Sequence, residues 1–183
     1  MNDKNRVCPI ERAGRLESKI RKFIQNPYRI LKNYIRLGMT ALDIGPGPGY
    51  FTIPMAQMLG ASGKVIAADL QQGMLDKISD KITGTELENR IILHKCDNDK
   101  IGVTDEVDFI LAFYVVHEVP DAEKLFAELH TILKKNGKIL IVEPPGRVTK
   151  NEFEKMITKA GLAGFIVAEK PKIFFGRTVV LMK

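Results

Sequence analysis

Residues 41–56, ALDIGPGPGYFTIPMA, constrain the fold of this chain more than any other stretch. An apolar run over 39–44 ends in a turn with glycine at 45, 47 and 49, and a helical pattern of apolar residues follows. A strand, a glycine turn and a helix in this order are typical of an α/β sheet that binds a nucleotide-like cofactor. Glycine lets the backbone come close to a ligand because it has no Cβ, and the helix start offers free N–H groups.

The spacing of the glycines argues against a dinucleotide. That fingerprint is glycine, any residue, glycine, any two residues, glycine, but here Gly49 comes one position early and Tyr50 stands where glycine is needed. Pro46 and Pro48 also remove two N–H donors that a pyrophosphate would use. The turn therefore favours a ligand without phosphates over NAD, and the alternative is a tight turn that binds no ligand.

Alternating strand and helix patterns continue to the end of the chain. The apolar periodicity predicts strands at 39–44, 64–68, 90–94, 107–113, 138–142, about 165–169 and 174–182, with helices at 50–59, 71–82, 121–133 and 149–160. Asn136-Gly137 is expected to turn the chain into the strand at 138–142, and Thr149 and Glu152 are expected to form a capping box at the start of the last helix. Repeated βα units predict a three-layer, doubly wound parallel sheet. No helix separates the last two strands, so they should pair as an antiparallel hairpin. The expected fold is a seven-stranded α/β sheet, mostly parallel, with one antiparallel strand.

A helical segment of nearly forty residues precedes the first strand. An apolar stripe that begins at Leu16 predicts one helix, and Asn26-Pro27 begins a second, which Gly38 should end. The length fits one domain over 1–183. We expect 1–38 to form a lid over the site, with Arg15 and Tyr28 among its side chains.

Composition limits the partners and the compartment. The net charge is +6, but the basic residues are spread along the chain, so nucleic acid is a possible partner that is not favoured. No apolar run approaches the roughly 20 residues that span a bilayer, and the N-terminus has no secretory apolar region. Cys8 and Cys96 have no metal or redox spacing, so no metal is expected and the cytoplasm is the expected compartment.

The pattern Asp-x-Gly-x-Gly-x-Gly at 43–49 resembles motif I of the class I S-adenosyl-L-methionine (SAM)-dependent methyltransferases. The order of elements after Gly38 is similar to the Rossmann-like fold of that family, and several segments resemble its small-molecule branch, which includes the ubiquinone/menaquinone-biosynthesis enzymes. The resemblance implies transfer of a methyl group from SAM to a small acceptor, with S-adenosyl-L-homocysteine as the other product. An RNA or protein methyltransferase that uses the basic surface, a non-catalytic binding module and a nicotinamide enzyme remain as alternatives.

The same resemblance assigns cofactor contacts to the strand ends. Asp69, 20 residues past Gly49, is the expected ribose-binding acid or the N-cap of the next helix, and it is able to serve as both. Asp97 is expected to accept from the adenine amino group, with Asp99 as its competitor. The full predicted cofactor set is Asp43, Gly45, Gly47, Gly49, Asp69, Leu70, Asp97, Asn98 and Phe113.

Residues 113–121, FYVVHEVPD, resemble family motif IV, in which a His pair precedes an acid, but Glu118 replaces the second His here. His117 is either a general base, since histidine changes its charge near neutral pH, or a side chain that only hydrogen-bonds the loop. An aromatic face from Phe113 or Tyr114 would attract a sulfonium. The candidate substrate contacts are Tyr114, Glu118 and Glu143, and the alternative role for Glu143 is to cap the loop after its strand.

Overall fold

The computed structural model describes residues 24–183, and its centre is one seven-stranded sheet. Its strands are β1 (Thr40–Ile44), β2 (Lys64–Asp69), β3 (Ile91–Lys95), β4 (Val107–Phe113), β5 (Leu133–Glu143), β6 (Ile166–Glu169) and β7 (Arg177–Met182). The order across the sheet is β3-β2-β1-β4-β5-β7-β6, and only β7 runs antiparallel to its neighbours. This confirms the predicted α/β fold, including the closing hairpin.

Helices cover both faces of the sheet. They are α1 (Pro27–Leu31), α2 (Thr52–Leu59), α3 (Gln72–Ile82), α4 (Ala122–Ile132) and α5 (Lys150–Leu162), with a 3₁₀ turn at Val116–Glu118. Alternate residues of a strand face opposite sides, so Leu42 packs in the cluster of α4 and α5, while Ala41 packs with α1, α2 and α3. The central strands are buried on both faces, which explains their near-continuous apolar sequence.

Side-chain caps fix three helix starts that the sequence predicts. Asn26 accepts the N–H of Arg29 at 3.1 Å, with proline at the first helical position. Asp121 accepts the N–H groups of Glu123 and Lys124, both at 3.0 Å. Thr149 and Glu152 form the predicted capping box, in which each side chain binds the other residue's backbone N–H.

Several predicted boundaries differ from the structure, and the differences at α1, α5 and β5 have clear physical causes. Helix α1 ends at Leu31 rather than near Gly38, since turns follow in which the N–H groups of Tyr34 and Ile35 both bond the Leu31 carbonyl. Helix α5 runs two residues beyond Ala160 because Gly161 stays helical and Gly164, at φ +98°, is the left-handed glycine that follows the helix.

The third difference concerns β5. The predicted turn at Asn136 lies inside this strand, in a bulge between the pairs Val107–Leu133 and Phe109–Lys138. Asn136 has φ +67°, a left-handed conformation that asparagine tolerates better than most residues.

The helix predicted from Leu16, together with Arg15 and Cys8, lies outside the described residues. Within 24–183, none of the helices combines the length and apolar character needed to cross a membrane.

The topology gathers several loops at one edge of the sheet. Strands β1, β2, β4 and β5 are parallel, so their carboxyl ends meet there. Strand β7 begins at the same edge, because Arg177 pairs with Glu143 at the end of β5. The β6–β7 loop (170–176) therefore joins the loops that follow the parallel strands.

Candidate active site

A cavity of about 410 Å³ opens at this edge, over the ends of β1, β2 and β4. Ten of the predicted site residues line it: Asp43, Gly45, Gly47, Asp69, Leu70, Asp97, Asn98, Phe113, Tyr114 and Glu118. Three predicted residues do not line it: Gly49, His117 and Glu143. A crevice at the point where strand order reverses, here between β1 and β4, is where open α/β sheets bind ligands.

The glycine turn adopts a backbone that other residues rarely take. Gly45 and Gly47 have φ of +62° and +55° and form part of the cavity wall. A Cβ added at Gly45 would lie only 2.7 Å from Cγ2 of Val115. Gly49, at φ +88°, instead faces helix α3, because its added Cβ would meet Ile78 at 3.2 Å. Gly45 therefore lets the turn pack against Val115 of the cavity wall, whereas Gly49 lets it pack against α3.

Asp43 connects the end of β1 to the helix that follows the turn. Its side chain is only 2% exposed, and its Oδ2 accepts the Thr52 hydroxyl at 2.7 Å. Thr52 is the first residue of α2. Asp43 thus fixes the two ends of the glycine turn and also places negative charge at the cavity.

Asp69 ends β2 as a buried carboxylate at the cavity. Its Oδ1 accepts the N–H of Gln71 at 2.8 Å, but Gln71 itself is the N-cap of α3, so the N-cap alternative for Asp69 is not observed. Burial raises the pKa of Asp69, while backbone N–H groups, that of Gln71 first, and the Lys95 ammonium act against this rise. A ligand that donates hydrogen bonds to this carboxylate would compensate for its burial.

The loop after β3 brings a thiol and two further acids to the cavity. Burial, with the charge of Asp69, raises the pKa of Cys96 to about 12, so its thiol stays protonated at neutral pH and is a poor nucleophile. Asp99 forms an ion pair with Lys124 of α4 at 2.7 Å, which lowers the pKa of Asp99. Asp97 has a longer contact, 3.4 Å to Lys100.

Aromatic rings form one side of the cavity. The ring centroids of Phe51 and Phe113 are 4.4 Å apart, and those of Phe113 and Tyr114 are 4.6 Å apart. All three residues line the cavity. Such faces suit an adenine ring or a positively charged sulfur.

Tyr114 also joins distant parts of the chain. Its hydroxyl accepts from the Gln25 amide at 2.6 Å and donates to the Phe175 carbonyl at 2.6 Å. Tyr50, another cavity residue, donates its hydroxyl to the Gln25 carbonyl at 3.1 Å. Sequence reasoning missed Gln25 and Phe175, since only the tertiary fold brings them to Tyr114.

His117 and Glu143 lie behind the cavity wall. Glu143 is 1% exposed and accepts the Val116 N–H at 2.8 Å, so it hydrogen-bonds the loop after β4 rather than the predicted loop after its own strand. Its other oxygen lies 2.5 Å from Nδ1 of His117. The His117 Nε2 is buried, has no hydrogen-bond partner among the described residues and lies 3.9 Å from Oε1 of Glu118.

In residues 24–183 no group of three or more His, Cys, Asp or Glu side chains is arranged to hold a metal ion.

Comparison with known proteins places the chain in a class. A family model described as a methyltransferase domain matches residues 42–141. The chain belongs to this methyltransferase domain family, which confirms the resemblance seen in motif I.

Two relatives and one solved structure are particularly similar. A demethylmenaquinone methyltransferase of Lactobacillus johnsonii is 36% identical over 110 residues, which are 60% of this chain and 45% of that protein. A ubiquinone/menaquinone biosynthesis C-methyltransferase of a Marinomonas species is 26% identical over 117 residues, 63% of this chain and 47% of that protein. The chain thus spans less than half the length of these two relatives. A SAM-dependent methyltransferase of Aquifex aeolicus superposes with a TM-score of 0.84 at 24% identity, covering 96% of this chain and 98% of that one.

Proposed function

We propose that this chain binds SAM in the cavity and transfers its methyl group to a small-molecule acceptor. One observation carries the proposal: the glycine turn, the buried Asp69 and the aromatic side meet in one cavity at the switch point of the sheet. Membership of the methyltransferase domain family supports the same reaction.

The residues of the cavity fit this cofactor chemically. Asp69 is a buried acceptor for the ribose hydroxyls. Hydrogen bonds from these hydroxyls would stabilise the ionised carboxylate and so offset the effect of burial, which raises the pKa of Asp69. Asp97 is the acceptor for the adenine amino group, because Asp99 is held by Lys124. Gly45 and Gly47 line the cavity without side chains, and Asp43 adds the negative charge that suits an ammonium group.

SAM supplies an electrophilic methyl group on a positively charged sulfur when it is bound. The work of the protein is then to position the acceptor and to keep water away from it. Tyr114 and Glu118 line the cavity after the end of β4 and are the proposed acceptor contacts. The volume of about 410 Å³ lies within the usual range for small-ligand pockets.

The similarity to the two quinone-biosynthesis relatives supports a small acceptor. The names of these relatives describe methyl transfer in menaquinone and ubiquinone synthesis. We propose a hydroxylated aromatic ring as the acceptor class, since the Phe113 and Tyr114 rings offer it a face.

We also propose that the N-terminal residues 1–38 act as a lid on the site. Support comes from the first described residues, since Gln25 bonds Tyr114 and Tyr50 of the cavity as well as the Phe174 carbonyl. Tyr28 does not line the cavity, and its hydroxyl binds Gln57 of α2.

The proposal is tested by transfer of a radioactive methyl group from SAM. The acceptors are a water-soluble 1,4-naphthoquinol, kept reduced with dithionite, and total RNA as the competing class. We expect label in the quinol with wild type and with Asp80→Ala, an exposed site on α3 away from the cavity, and none with Asp69→Ala. Label in RNA alone would overturn the choice of a small acceptor.

A further inference from the structure

Three side chains form a row between the sheet and the cavity: Glu143 at the end of β5, then His117, then Glu118. We infer that Glu118 accepts the proton that the methyl acceptor loses, and that His117, held by Glu143, receives this proton from Glu118. The inference rests on the proposed function and adds the proton path to it. Glu118 is the member of the row that lines the cavity, and His117 and Glu143 act through it as positioning residues.

Glu143 fixes which nitrogen of His117 carries a proton. An ionised carboxylate can only accept hydrogen bonds, and one oxygen of Glu143 already accepts the Val116 N–H. The other, 2.5 Å from Nδ1, therefore requires a proton on Nδ1. In the neutral ring, Nε2 is then a bare acceptor.

This bare nitrogen is unusual because it is buried and has no hydrogen-bond partner among residues 24–183. Buried polar atoms are nearly always partnered. A histidine with only a packing role would be expected to resemble His94, whose Nε2 lies 2.8 Å from the Ile101 carbonyl. Oε1 of Glu118 lies 3.9 Å from Nε2 of His117.

One proton and a short movement of the Glu118 side chain would join Nε2 and Glu118 in a hydrogen bond. At 3.9 Å the two atoms are too far apart for a hydrogen bond, but a rotation of the Glu118 side chain would close the distance. The ring, protonated on both nitrogens, would then lie between the Glu143 carboxylate at Nδ1 and the Glu118 carboxylate at Nε2, and this arrangement stabilises the imidazolium.

The step balances in atoms and charge. A hydroxyl or ring-carbon nucleophile forms a bond to the methyl carbon, and the methyl–sulfur bond breaks with its electron pair left on sulfur. The nucleophile loses one proton to the Glu118 carboxylate. The proton passes to Nε2 of His117, which restores the Glu118 charge, and after methyl transfer it returns through Glu118, which lines the open cavity, to water.

The surrounding charges have other partners in the fold. Those that line the cavity besides Glu118 come from β1, β2, the loop after β3 and the start of α4: Asp43, Asp69, Asp97, Asp99, Lys100, Asp121, Lys124 and Glu128. Two ion pairs, a helix cap and hydrogen bonds to backbone N–H groups engage most of them. Arg177 of β7 faces Glu143 in register, but its Nε–H donates to the Val148 carbonyl at 2.8 Å.

The first test needs no turnover. The chain has three histidines, so nitrogen-15 NMR can resolve each ring in the full-length protein. We expect the Nδ1–H form for His117 at neutral pH, and we expect Glu118→Gln to shift its Nε2 signal while those of His94 and His130 stay in place. Glu143→Gln should reduce the Nδ1–H population. An Nε2–H form in wild type, or a His117 signal that ignores Glu118→Gln, would overturn the inference.

The second test follows methyl transfer to the same 1,4-naphthoquinol against pH. General-base catalysis contributes about 10²–10⁴-fold, so Glu118→Gln should lower kcat at least 100-fold at pH 7, with KM for SAM within twofold of wild type. The loss of kcat in Glu118→Gln should become smaller as the pH rises, because hydroxide replaces the missing base. Glu143→Gln should lower kcat about tenfold, and Glu123→Gln, on the outer side of α4, should behave as wild type.

A loss in Glu118→Gln that is the same at every pH would indicate a structural role and contradict the inference. Failure of the proposed function is a separate result. It would appear as no SAM binding or no labelled quinol with wild type, and the NMR outcome still decides whether the row of side chains exists as described.

Discussion

A single methyl group at Gly45 tests how the packing of the glycine turn against Val115 shapes the cavity. In Gly45→Ala, the new Cβ would lie 2.7 Å from Cγ2 and 3.2 Å from Cβ of Val115. Carbon atoms prefer about 3.5–4.0 Å, so turning the Val115 side chain cannot relieve the overlap, and the loop that begins at Tyr114 must move. The φ of +62° adds the cost of a left-handed alanine, about 1–2 kcal/mol.

Two other glycines separate these effects. Gly84 has φ +74° with open space around it, so Gly84→Ala measures backbone strain alone, about 1 kcal/mol after the entropy lost by the unfolded chain is counted. Gly146 has neither strain nor close neighbours, and alanine there should be neutral or slightly stabilising. Overpacking adds about 1–3 kcal/mol, so Gly45→Ala should destabilise the fold by about 2–4 kcal/mol.

Urea unfolding gives the three stabilities, and calorimetric titration with S-adenosyl-L-homocysteine gives the affinities. Gly45→Ala should bind at least tenfold more weakly than wild type, a loss of about 1.4 kcal/mol, whereas Gly84→Ala should bind normally. Equal stability and equal affinity for the Gly45 and Gly84 variants would show that the contact with Val115 does not shape the site.

Three further predictions follow from the structure. Burial raises the pKa of Asp69 above its ordinary 3.8, so the folded state holds this proton more tightly than the unfolded state. Asp69→Asn should therefore gain stability relative to wild type as the pH rises from 3.5 to 7. Urea unfolding at both pH values checks this. With a pKa of about 12, only about one Cys96 in ten thousand is a thiolate at pH 8. In Cys8→Ser, which leaves Cys96 as the remaining cysteine, iodoacetamide should label the folded protein far more slowly than the urea-unfolded protein. Equal labelling rates would contradict the burial of Cys96. Thr149→Ala should lower the free energy of unfolding by about 1 kcal/mol through loss of the α5 cap and leave S-adenosyl-L-homocysteine affinity unchanged, unlike a site variant.

The fold was predictable because several local signals agree. The strand β4 is apolar except for Asp108, helix α5 begins with a Thr149–Glu152 capping box, and the missing helix before β7 dictates a hairpin. The end of α4 was harder to place. Leu133 continues the apolar stripe of that helix, but its pairing with Val107 puts it in β5, and pairing between distant strands has no local signal.

The site likewise contains residues whose positions could be predicted from the sequence and residues whose positions could not. Residues at the ends of β1, β2 and the segment after β3 could be predicted, since parallel strands bring their carboxyl ends to one edge. The positions of His117 and Glu118 could not, because they depend on the backbone at Tyr114. Its φ of +64° is rare for a tyrosine, and it helps set the direction of the chain entering the 3₁₀ turn, where His117 faces Glu143 and Glu118 lines the cavity.

The central claim is that the cavity is a SAM site built around Asp69. Calorimetric titration of wild type, Asp69→Ala and the exposed control Asp80→Ala with SAM, S-adenosyl-L-homocysteine and NAD tests it most directly. We expect micromolar binding of SAM and its product to wild type and Asp80→Ala, at least tenfold weaker binding to Asp69→Ala, and no binding of NAD. A folded wild type that binds no SAM, or that binds it equally well without the Asp69 carboxylate, would contradict the account.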